Sequence, residues 1–243
     1  LNLREVLNIS DKSNTLVVRR DSGDVVNIGS GWIAATHEII GAETFRVYKQ
    51  GAATLKVQVN NVYVVSNLNS SGAGSLHQAI VNANSAAGAD EIVFTVAGVI
   101  PVSSAYPLPE ISGAVLIDGA TAPGFNAAPM VEISGSDAGN VSGFVFSAGS
   151  AGSALRGLSL VGFARAGVEL NAGSLNLQGN WIGVTRGGTA GGNGTAGGGG
   201  AAGVIVRGAG AVIGGLQTGE GNLISGNTGH GILVVGGSDA VIQ

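Results

Sequence analysis

Gly179-Asn180-Trp181-Ile182 returns 42 residues later as Gly221-Asn222-Leu223-Ile224. Between and around this pair, three related strand starts recur: Gly167-Val168-Glu169-Leu170, Gly203-Val204-Ile205-Val206 and Gly231-Ile232-Leu233-Val234. An interval of this size fits two turns of roughly 20 residues each in a stacked repeat. Strands with so few core residues bury too little area alone, but stacked about 4.8 Å apart each completes its neighbour's hydrogen bonds and core. Asn180, Asn222 and Asn227 fall at turn positions, where asparagine tolerates left-handed backbone and can bond neighbouring groups or stack in a ladder.

The same grammar extends toward the N-terminus as far as residue 114, through Val115-Leu116-Ile117, Val131-Glu132-Ile133, Phe144-Val145-Phe146 and Leu158-Ser159-Leu160. The longer interval between positions 167 and 203 holds the glycine-rich loop Gly187 to Gly200. Before residue 114 the pattern changes. Ser75 is followed three residues on by Gln78, a capping-box spacing, and Leu76, Ala79, Ile80 and Ala83 share one helical face. An amphipathic helix over 75–85, flanked by strands at Val62–Val65 and Glu91–Val96, is suited to covering the open end of a strand stack. Residues 1–60 read as short alternating runs punctuated by Gly23, Gly29, Gly31, Gly41 and Gly51, a small β module, after a short helical spacing at Leu3, Val6 and Leu7.

The expected organisation is therefore a β-rich module over 1–60, a cap over 61–113 and rungs over 114–243. The architecture is expected to be all-β, a right-handed parallel β-helix, or solenoid, with an N-terminal capping helix. Leu1 and the strand pattern still running at Gln243 make both ends read as cut from something longer.

Composition narrows the function classes. The 243 residues carry a net charge of −4, 11% charged residues and 44 glycines without a triplet period, which excludes collagen and a disordered chain. There is no cysteine, so there is neither a disulfide framework nor a thiolate metal site. Residues 61–243 contain no lysine and only Arg156, Arg165, Arg186 and Arg207 as strong bases, so no nucleic-acid partner is expected. Apolar residues alternate or come in short bursts, never the ~20 in a row of a membrane helix, so no membrane insertion is expected.

The stretch from Leu155 to Gln243 resembles a widespread family of bacterial right-handed parallel β-helix repeat proteins. Its matching motifs are Gly179-Asn180-Trp181-Ile182-Gly183, Gly192-Asn193-Gly194, Val212-Ile213-Gly214-Gly215 and Gly221-Asn222-Leu223-Ile224-Ser225-Gly226-Asn227. Ser71 to Ile80 resembles that family's N-terminal cap. The first 60 residues, through Gly23-Asp24-Val25-Val26, Trp32, Phe45-Arg46-Val47-Tyr48 and Gly51-Ala52-Ala53-Thr54-Leu55, more loosely resemble a β module of very large adhesin-like exoproteins. The resemblance implies export, surface display and often a carbohydrate or cell partner; it transfers no catalytic residue, because the matching motifs are turns and core.

Candidate chemistry is sparse. Glycoside hydrolysis needs two carboxyls held within roughly 5–10 Å, and Asp118, Glu132 and Asp137 are the candidate cluster, set against solvated surface as the ordinary reading. His37, His77 and His230 lack zinc spacing. Asp21 with Asp24, and Asp90 with Glu91, are the calcium candidates, against ordinary turn acids; no other cofactor is expected. Glu169 is expected to project outward, and Ile205 and Leu233, at the equivalent positions of later strands, form a candidate exposed contact patch. A misread register or cover by the Gly187–Gly200 loop is the alternative.

The expected function is a non-catalytic structural or adhesive module of a secreted or cell-surface protein. Its expected partners are further copies of itself, other surface proteins or carbohydrate, with assembly into a fibre or layer as one form. A polysaccharide lyase or hydrolase and a glycan-binding phage tail component are the alternatives.

Overall fold

A computed structural model describes residues 14–19, 26, 28, 31–196 and 200–243. The N-terminal strands form a mixed four-stranded sheet in the order β1-β4-β3-β2. Strands β2 (Ile33–Ile40), β3 (Glu43–Gln50) and β4 (Ala53–Val59) are antiparallel neighbours, whereas β1 (Thr15–Val18) lies parallel to β4. Gly41 and Gly51 make the two hairpin corners with positive φ, a conformation that side chains with a Cβ resist. Trp32, Tyr48, Ala53, Leu55 and Val57 form this sheet's own core.

The rest of the chain distributes its strands among three sheets, each parallel throughout. A seven-stranded sheet contains β5 (Val62–Val65), β6 (Asp90–Phe94), β8 (Val115–Asp118), β11 (Ala154–Arg156), β14 (Asn176–Gln178), β17 (Val212–Ile213) and β20 (Val241–Ile242). A five-stranded sheet contains β7 (Gly98–Ser103), β9 (Val131–Asp137), β12 (Leu158–Val161), β15 (Trp181–Ile182) and β18 (Leu223–Ile224). The third holds β10 (Phe144–Phe146), β13 (Ala166–Leu170), β16 (Ala202–Val206) and β19 (His230–Val234). From β8 onward the chain visits the three sheets in rotation, so each strand pairs with the third one after it.

The expectation of an all-β, single right-handed parallel β-helix solenoid is corrected by this arrangement. The described residues form three separate parallel sheets and a mixed one, and α1 (Leu76–Ser85) and two 3-10 segments, Gly119–Thr121 and Ala148–Ser150, alternate with the strands. The physical reason is that a sequence period reports where strands begin. Sheet number and membership are decided by long-range pairing, which the period does not carry.

The three parallel sheets enclose one apolar core, with Phe94, Ile117, Ile133, Phe144, Phe146, Leu155, Leu160, Val168, Leu170, Ile182, Val204 and Val206 all within it. Alternation puts these side chains inward, and the parallel register stacks Phe144 on Val168, Val204 and Ile232 in turn. Val168, Leu170, Val204 and Val206 are fully buried, Ile232 is half-buried and Val234 is exposed.

Helix α1 begins as its capping spacing requires. The Ser75 hydroxyl accepts a hydrogen bond from the Gln78 N–H at 3.2 Å. The reciprocal half of the capping box does not form: Gln78 donates its side-chain amide to Asn82 instead. Leu76, Ala79, Ile80 and Ala83 are buried in the same core as Val65 and Ile92. At the corners between sheets, Asn180 Nδ2 donates to Leu155 O and to Asn222 Oδ1, and Asn193 Nδ2 to Leu160 O and Asn227 Oδ1. These two asparagine ladders satisfy the buried backbone where the strands turn. Gly183, at φ +86°, approaches so closely that a Cβ there would lie 2.2 Å from Ser225 O.

Candidate functional site

Two sets of ionised side chains stand out, each a carboxylate between two arginines. The first lies in the seam where the mixed sheet meets the seven-stranded sheet. Arg46, on β3, donates from Nη1 to Glu91 of β6 at 2.7 Å and from Nη2 to Asp118 of β8 at 2.8 Å. Asp118 also accepts from Arg156 Nε at 2.7 Å and Nη2 at 2.5 Å, because the β8–β11 register places the two residues directly opposite. His37 of β2 closes the seam, its Nε2 lying 2.5 Å from Glu91 Oε2.

Glu91 and Asp118 are fully buried. Burial alone would push the Asp118 carboxyl up. Arg156, then Arg46 and the Ala120 N–H, more than offset that and hold it below the usual carboxylate range. Arg156 is raised in turn: burial acts against its charge, and Asp118 outweighs burial. The Tyr48 hydroxyl beside them is raised by burial.

The second set lies on the outer face of the four-stranded parallel sheet. Glu169, on β13, accepts from the Ser142 hydroxyl and from Arg207 Nη1 at 2.7 Å, while Arg165 Nη2 stands 3.8 Å away. Arg207 also reaches Asn171 Oδ1 at 3.3 Å. Here the arginine side chains are 53% (Arg165) and 37% (Arg207) exposed. Above Glu169 opens a hollow of about 320 Å³, lined among others by Leu108, Glu110, Asn140, Arg165, Glu169 and Asn171. A second hollow of about 300 Å³ shares Asn140 and Arg165 and continues toward Ala164, Ala196 and Ala201.

The residues singled out from the sequence are dispersed. Asp118 is in the seven-stranded sheet and Glu132 in the five-stranded one, where Glu132 accepts from the Arg186 backbone N–H at 2.9 Å. Asp137 sits exposed at the end of β9. Asp118 thus lies in a different sheet from Glu132 and Asp137, which share β9, and the candidate cluster is not brought together. Asp21 and Asp24 lie outside the described residues. Asp90 and Glu91 alternate to opposite faces of β6 and do not converge on an ion: Glu91 joins the seam, and Asp90 accepts from Asn61 N and Nδ2. Asp90 Oδ2 is buried without a partner, and burial raises its carboxyl. Among the described residues no three histidine, aspartate or glutamate side chains are grouped to hold a metal ion.

Glu169, Ile205 and Leu233 do occupy equivalent ladder positions. Ile205 is nevertheless not exposed, which corrects the expected contact patch. It is fully buried in a small apolar cluster with Ala166 and Ala202, against which half-buried Leu233 packs. Alternation separates the two faces of a strand but does not make the outer one solvent.

The sequence pattern assigned no ion-pair role to Arg46, His37, Ser142, Arg156 or Arg207. A usable signal existed for two of these: Asp118 with Arg156 and Glu169 with Arg207 are both acid–arginine pairs 38 residues apart. Comparison with protein-family models, with curated proteins and with solved structures found no match to this chain.

Proposed function

We propose that this chain is a non-catalytic structural or adhesive module of a large secreted or cell-surface bacterial protein. The observation that supports this reading best is the commitment of four carboxylates on the parallel sheets to internal partners. Asp118 and Glu91 are held by Arg46 and Arg156, Glu169 by Arg207 and Ser142, and Glu132 by a backbone N–H. Hydrolysis or elimination needs a carboxyl or base free to exchange a proton with substrate. Fixed ion pairs instead favour rigidity. Export and surface display rest on the repeat resemblance and on the lack of cysteine.

One observation favours a polysaccharide-cleaving enzyme as the rival: Glu110 and Glu169 line the same hollow. The two readings separate in one assay. Purified protein incubated with neutral and uronate-bearing polysaccharides is expected to release neither reducing ends nor unsaturated products. Cleavage that disappears in Glu110→Gln or Glu169→Gln would overturn the non-catalytic reading.

A further inference from the structure

We propose that the open trough beside the four-stranded parallel sheet, centred on the loop residues Arg165 and Asn140 that precede β13 and β10, is a binding groove for a hydroxyl-rich glycan chain. The proposal deepens the adhesive reading and rests on it.

The two hollows meet at Asn140 and Arg165, so together they make one open two-lobed trough rather than a closed pocket for one compact ligand. The trough is lined by Glu110, Asn140, Asn171 and Arg165, planar polar groups that together offer donors and acceptors, with Leu108 and Val145 as a narrow aliphatic strip. Sugar hydroxyls are at once donors and acceptors and match such a surface. Arg165 is the group most ready to bind: its side chain is 53% exposed and its nearest anion, Glu169 Oε1, lies at 3.8 Å, beyond hydrogen-bonding distance. Glu169 itself is satisfied by Ser142 and Arg207, which fixes the floor of the groove.

A peptide is disfavoured by the same geometry. Peptides are commonly captured by adding a strand to a free sheet edge or by apolar side-chain anchors. Of the strands in this trough, β13 is paired on both sides, and the edge strand β10 is already met by Ile111, whose N–H donates to Val145 O; nor does the trough offer a deep apolar anchor.

The test is binding of the full chain to a printed panel of linear oligosaccharides, neutral, N-acetylated and uronate-bearing, beside a panel of peptides of matched length. At least one glycan class is expected to bind. Arg165→Ala should weaken that binding about tenfold or more, as loss of a charged hydrogen-bond donor does. Arg186→Ala, whose backbone N–H keeps its bond to Glu132, should leave it unchanged. Asn140→Trp, which fills the junction of the two hollows, should abolish it while thermal unfolding stays as in the parent. Loss of binding in 1 M salt for uronates alone assigns Arg165 to a carboxylate; salt-insensitive binding assigns it to hydroxyls. The absence of glycan binding, binding indifferent to both groove variants, or binding of peptides only would each overturn the proposal. Cleavage of the bound glycan would sink the non-catalytic reading and leave the groove standing.

Discussion

The seam and the groove hold the same chemical device, a carboxylate between two arginines, in opposite surroundings. In the seam, Asp118 is fully buried between Arg46, 6% exposed, and Arg156, 22% exposed. In the groove, Glu169 is 9% exposed, between arginines that are 53% and 37% exposed. An isolated buried charge is strongly disfavoured, so the seam set exists only because each charge meets an opposite one, although Arg46 Nε itself has no acceptor, and each becomes costly once its partner is gone. The groove arginines face water, which competes for their donors, so these pairs add little stability and leave the Arg165 guanidinium free to bind. The same combination of one carboxylate and two arginines thus holds two sheets together in one place and presents a polar surface in the other.

The sharpest way to break this contrast is to remove one carboxylate from each set. Asp118→Asn leaves Arg46 and Arg156 short of a counter-charge in a buried seam and should cost about 3–5 kcal/mol in denaturant unfolding. A cost below about 1 kcal/mol would mean that water enters the seam. The pH dependence follows from the same residue. Its folded carboxyl lies below its unfolded value, so its stabilisation is complete above an unfolded pKa of about 4 and is lost as pH falls through the lower folded value. Asp118→Asn should flatten that acid limb.

Asp90 has the opposite sign. Burial raises its carboxyl and Oδ2 has no partner, so the folded state is penalised as pH rises through the raised folded value. Asp90→Asn should raise stability by about 1 kcal/mol near neutral pH. The gain should vanish below the unfolded pKa of about 4, where the aspartate is protonated in both states. An equal gain at every pH would assign the effect to packing rather than charge.

Glu169→Gln should cost less than about 1 kcal/mol, the worth of a part-exposed pair. Smallest of all is the effect of salt. Raising ionic strength to 1 M, where the screening length falls to about 3 Å, should erase the Glu169→Gln difference and leave the Asp118→Asn difference nearly intact. Equal screening of both would remove the distinction between the two sets.

Local features were legible in the sequence because local physics makes them. The Ser75–Gln78 spacing with Leu76, Ala79, Ile80 and Ala83 on one face specified α1, and the alternation in Val204-Ile205-Val206 specified which side chains enter the core. The pairing of Asn180 with Asn222 followed from the 42-residue return. What lay beyond reach was set by contacts between distant positions. Arg46 meets Glu91 across 45 residues and Asp118 across 72, and nothing near Arg46 marks it as a buried ion-pair donor. Ile205 was placed on the correct side of its strand but in the wrong medium. The division of one repeated strand pattern among three parallel sheets, beside a separate mixed one, is likewise a long-range outcome. The groove was invisible for the same reason, since Glu110, Asn140 and Arg165 share no local motif.

The double reach of Arg46 has a mechanical consequence. Within a parallel sheet each strand bonds only its immediate neighbours, so an opening that starts at one strand passes along by nearest-neighbour steps. Arg46 spans two paired strands, β6 and β8, from outside their sheet. Separating those strands means tearing their ladder bonds and the seam together. The mixed sheet therefore works as a clip fastened across one joint of the seven-stranded sheet, and opening that travels strand by strand should stall there.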